Sequence, residues 1–201
     1  MQSIYLKKYY FLGALIVMAF MLAGCGKEKS LVTSVEIDKN GAVTNTIIEE
    51  FDQSLYNLDE LSELASSEVS AYNSECLSER IAVESVEMLK DEKTVKMVLK
   101  FNSTNDYASF NDTALYFGTV QDAIDRGYEI STELMNPEGQ VLSSEGLSDY
   151  LSRSIIITED RSVFITPYKI DYYTNGVKLN GKKEAITSDA TSEVIQLLLS
   201  K

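Results

Sequence analysis

This 201-residue chain contains no histidine and no tryptophan, so a nucleophile-base pair with histidine is excluded, and the residues to weigh for chemistry are its two cysteines, its 31 carboxylates and its aromatics. Without histidine the commonest general base and the commonest zinc ligand are both missing. No cysteine set could hold zinc, and no glycine-rich phosphate loop occurs. A pair of carboxylates could hydrolyse a glycoside, yet no pair stands apart from surface acids such as Glu49-Glu50 and Glu159-Asp160. The sequence therefore points to no catalytic residue, no cofactor and no metal site. Five aromatics, Tyr107, Phe110, Tyr116, Phe117 and Tyr128, are the densest such group after Cys25, falling within 22 residues. They either cover a sheet from two short helices or form a partly exposed patch that binds a solute or glycan. Of the two thiols, Cys76 closes a predicted helix in Tyr72-Asn73-Ser74-Glu75-Cys76-Leu77 and reads as structural.

Cys25 stands in a different setting. Lys7 and Lys8 precede an apolar run, residues 9–21, that ends in Leu22-Ala23-Gly24-Cys25. A basic start, a short apolar stretch and small residues before a cut site make a secretory signal, and the run is short for a span, which takes ~20 apolar residues. A cysteine directly after the small pair resembles the lipobox of bacterial lipoproteins, whose cysteine is lipid-modified and becomes the first residue of the mature chain. The resemblance implies a signal peptide over residues 1–24, a palmitate-like acyl group on Cys25, and a place on the outer face of the cytoplasmic membrane. Each buried methylene of an acyl chain contributes about 0.8 kcal/mol, so two or more chains anchor stably. Gly26 to Ser30 would then be a tether of five residues, reaching at most ~18 Å.

Charge narrows the partners. The formal net charge is −13, and removing residues 1–24 with their two lysines takes it to about −15. Such a surface repels nucleic acid and anionic lipid headgroups alike. An acyl group is then the more necessary to hold the domain at a membrane.

The remaining 177 residues suit one domain. Leu31, Val35 and Ile37 share strand parity and Asn40-Gly41 is a tight-turn signal, which predicts a hairpin over 31–51. Asn57 caps a helix over 58–73 whose apolar face is Leu58, Leu61, Leu64, Ala65, Val69 and Tyr72. A second hairpin follows, its outgoing arm changing parity between Val83 and Val86 and so calling for a bulge near Glu84-Ser85. Its return arm alternates Val95, Met97, Leu99 and Phe101, with Asp91-Glu92-Lys93 as the turn. Ser103 and Thr119 start two short helices, Gly127 ends the second, and Leu115-Tyr116-Phe117-Gly118 lies between them. Residues 136–153 are turn-rich with one helical turn. Ile155 to Ile157 and Val163 to Ile165 read as a hairpin about Glu159-Asp160-Arg161. Two Asn-Gly turns, at 175–176 and 180–181, lead to a last segment over 194–199 that fits a short strand or an amphipathic helix, and the repeated turns before it favour a strand completing a meander. The expected fold is α+β: one domain over 31–201, an antiparallel sheet built from hairpins in ββαββα order followed by a C-terminal meander, with helices on one face.

The stretches Val35 to Gly41, Leu99-Lys100-Phe101, Asp106 to Asn111, Phe117 to Val120 with Asp122-Ala123, and Thr174 to Gly181 resemble a group of uncharacterised lipoproteins of Gram-positive, clostridia-like bacteria. The opening hairpin-plus-helix and the closing hairpin are also similar in topology to actinobacterial LppM-type lipoprotein domains. These resemblances imply no catalytic residues. The expectation is a membrane-anchored, non-enzymatic envelope lipoprotein that contacts another envelope protein or glycan.

Overall fold

Asp38 organises the first turn. Its Oδ1 accepts from the amides of Asn40 at 2.7 Å and Ala42 at 2.9 Å, and Gly41 takes the positive φ of 84° that this reversal needs. The turn joins β1 (Ser34–Ile37) to β2 (Val43–Glu50), paired antiparallel with Ile37 opposite Val43. The computed structural model describes residues 31–54, 57–143 and 146–201. Helix α1 spans Leu58–Glu75, begun by the Asn57 side chain accepting from the Asp59 amide at 2.8 Å. Strands β3 (Ile81–Met88) and β4 (Thr94–Phe101) form the second hairpin. Its register shifts between Val83 and Ser85, where the change of parity called for a bulge. The bulge lets Ile81, Val83, Val86 and Met88 all oppose the apolar face of β4 despite their unequal spacing.

Helix α2 (Thr104–Asn111) starts on Ser103, whose hydroxyl accepts from the Asp106 amide at 3.1 Å. The link after it is itself a strand, β5 (Leu115–Thr119), and Thr119 then caps α3 (Val120–Asp125). One 3-10 turn, Gly146–Tyr150, interrupts the turn-rich stretch. Six short strands complete the chain: β6 (Ser154–Thr158), β7 (Val163–Ile165), β8 (Ile170–Tyr173), β9 (Lys178–Leu179), β10 (Glu184–Ile186) and β11 (Ile195–Leu199).

The class is α+β, as expected, but the strands divide into two sheets. One has seven strands in the order β3-β4-β2-β1-β7-β10-β9, the other four in the order β5-β6-β11-β8. Residues 155–165 are therefore not a hairpin: β6 belongs to the small sheet, while β7 joins the large one beside β1, in parallel. The Asn175-Gly176 turn likewise carries the chain between sheets, and the expected meander survives only as the β9–β10 hairpin about Asn180-Gly181. The reason lies in burial. Ile155, Ile156, Ile157 and Thr158 are all buried, and a strand covered on both faces cannot lie in a sheet with one face in water.

Two cores follow from that layering. Val35, Ile37, Val43, Leu99, Phe101 and Phe164 of the large sheet pack against Ile156, Leu197 and Leu199 of the small one, together with Val69 of α1 and Tyr107 of α2. The other face of the small sheet, with Ile155, Ile157 and Leu198, packs on Val120 and Ala123 of α3 and on Leu134 and Leu142. Strand β11 is buried at every residue and serves both cores by alternation. Residues 32–201 form one unit by their contacts. Among the described residues no helix is long and apolar enough to cross a membrane.

Candidate functional site

Cys25 and residues 1–30 lie outside the described residues. The chain is pinned from Thr33, whose hydroxyl donates to the Ile48 carbonyl at 3.1 Å and accepts from the Ile48 amide at 3.0 Å. It thus enters the large sheet at the Ser34 end of β1. At the opposite end, Ile37, Val43, Phe101 and Ile81 form one row across four strands.

The five aromatics do not make one surface. Tyr107 is buried in the first core, and Phe110 and Phe117 pack against it. Tyr116 belongs to the second core, on the other face of β5, and Tyr128 lies 5.0 Å from it, centroid to centroid. Phe101 makes edge contacts with Tyr107 and Phe110 at 5.2 and 5.8 Å. These are the ring geometries of a packed interior. Tyr128 alone is more than a third exposed, at 38%. Alternation along β5 causes the split, since neighbours on a strand point to opposite faces.

Two of the carboxylates drawn in from the surface are occupied by hydroxyls. The Tyr107 hydroxyl donates to Asp160 at 2.5 Å, and burial, followed by the charge of Asp160, pushes this phenol well above its ordinary pKa. Asp106 is buried and accepts from the Ser103 hydroxyl at 2.6 Å. Two open grooves bring no carboxylate pair together. One is lined by Gln53, Asn57, Leu58 and Asp59. The other, of about 770 Å³, runs between α1 and the edge strand β3 and contains Glu79 as its one carboxylate. Among the described residues no cluster of three or more acids or thiols is placed to hold a metal ion. Cys76 is a reduced, half-buried thiol at the C-cap of α1.

The α1–β3 groove holds a feature that residue spacing did not reveal. Leu77, directly after the Cys76 cap, is 92% exposed and has a φ of 51°. Its amide donates to the Ser74 carbonyl at 3.2 Å, and that of Ser78 to the Asn73 carbonyl at 3.1 Å. Those two bonds form the helix-ending loop that glycine usually completes. For a leucine the left-handed conformation costs ~1–2 kcal/mol. Beside it, Asn73 covers the start of the β3 edge: Oδ1 accepts from the amides of Arg80 at 2.7 Å and Ile81 at 3.0 Å, and Nδ2 donates to the Ile81 carbonyl at 2.8 Å. The helix itself is thinly covered. Val69 is its one buried residue and Leu64, expected on the inner face, is 43% exposed. The sequence did carry a signal for Leu77, namely a strong helix with no glycine or asparagine after its cap.

Comparison of the chain with protein-family profiles, with curated proteins and with solved structures finds no match.

Proposed function

We propose that this chain is an envelope lipoprotein, anchored on the outer face of the cytoplasmic membrane by acylated Cys25, whose acidic α+β domain works as a non-enzymatic interaction module. The observation that carries the reading is the order Lys7-Lys8, apolar run, Leu22-Ala23-Gly24-Cys25. With β1 beginning at Ser34, nine residues after the anchor, the domain would sit within ~30 Å of the lipid surface. Binding rather than catalysis is favoured by the lack of any histidine and by the absence of a carboxylate pair in either groove. A solute or glycan site built on the Tyr107 to Tyr128 aromatics has less support, because Tyr107 and Tyr116 are core residues on different faces of β5.

Metabolic labelling with a fatty-acid analogue tests the anchor. The wild-type chain should take up label and sediment with membranes, while Cys25→Ala should lose the label and leave the membrane fraction. Label retained by Cys25→Ala would sink the proposal.

A further inference from the structure

We draw no further inference here: the strongest candidate, the open groove between α1 and the β3 edge beside exposed Leu77, is lined by a single carboxylate, Glu79, next to Arg80 in the chain, the left-handed backbone of Leu77 recurs at exposed Glu92 and Asp112, and nothing in the structure shows what covers this face.

Discussion

Glu49, near the end of β2, is a carboxylate that the fold penalises. Burial, and then the neighbouring charge of Glu50, raise its pKa above the usual 4.5. At neutral pH the group is ionised in both folded and unfolded chains, and the folded state bears the cost of that charge. Lowering the pH through the raised folded value relieves the cost, so this residue's contribution improves toward acid and levels off below 4.5. Glu49→Gln should therefore melt higher than wild type at pH 7, with the advantage disappearing below about pH 4. A melting series across pH checks this, and a lower melting point for Glu49→Gln at pH 7 would contradict it. Spacing showed that Glu49 and Glu50 are adjacent; that the first is partly withdrawn from water follows from β4 lying beside it, Glu49 opposite Val95. Tyr107 is similar. Its place on a short helix could be read from Ser103, while its hydrogen bond to Asp160, 53 residues away, depends on how α2 and the β6–β7 connection meet.

Among the elements, the local signals were reliable where a short turn joins two paired strands early in the chain or a side chain caps a helix, and they missed β5, which pairs with β6 across a long connection. Asn40-Gly41, the parity change near Glu84-Ser85 and the caps at Asn57, Ser103 and Thr119 each mark a structure closed by neighbouring residues. The same kind of signal misled at Asn175-Gly176. This turn has the composition of a hairpin, yet it carries β8 of one sheet toward β9 of the other. Gly176 has a φ of 87°, and a Cβ there would lie 2.1 Å from the Asp189 carbonyl oxygen. Gly176→Ala should thus cost about 2 kcal/mol or more, from the left-handed conformation and the backbone clash together. Chemical denaturation measures the loss, and a change below about 0.5 kcal/mol, the scale of an ordinary surface substitution, would show that the crossing tolerates a side chain. Arg161 explains how the neighbouring crossing is held: its guanidinium donates to the carbonyls of Thr187, Ala190 and Ser192 at 3.4, 2.8 and 3.0 Å. In sequence it read only as a turn residue in Glu159-Asp160-Arg161.

At the scale of the molecule, β11 joins what would otherwise be two separable layers. Leu197 and Leu199 reach the core between the sheets, Leu198 reaches the core beneath α3, and Gln196 fixes the 129–131 backbone through Glu129 and Ser131 at 2.7 and 3.0 Å. Both cores should for that reason melt together. Leu197→Ala and Leu198→Ala, one in each core, should each cost about 2–5 kcal/mol and leave a single cooperative transition by near-UV and far-UV circular dichroism. Two resolved transitions in either variant would mean that the layers unfold separately. The sequence alone determined the two N-terminal hairpins, the caps, the α+β class and the strongly acidic balance, because each depends on periodicity, turn chemistry or composition within a few residues. It also supplied the Leu22-Ala23-Gly24-Cys25 stretch from which the anchor is proposed. Only the tertiary structure decided that the strands form two sheets, that the five aromatics part company across β5, and that Leu77 stands in solvent. Those outcomes follow from which faces meet across long separations in the chain, and burial on a second face leaves no periodic trace in a short apolar strand.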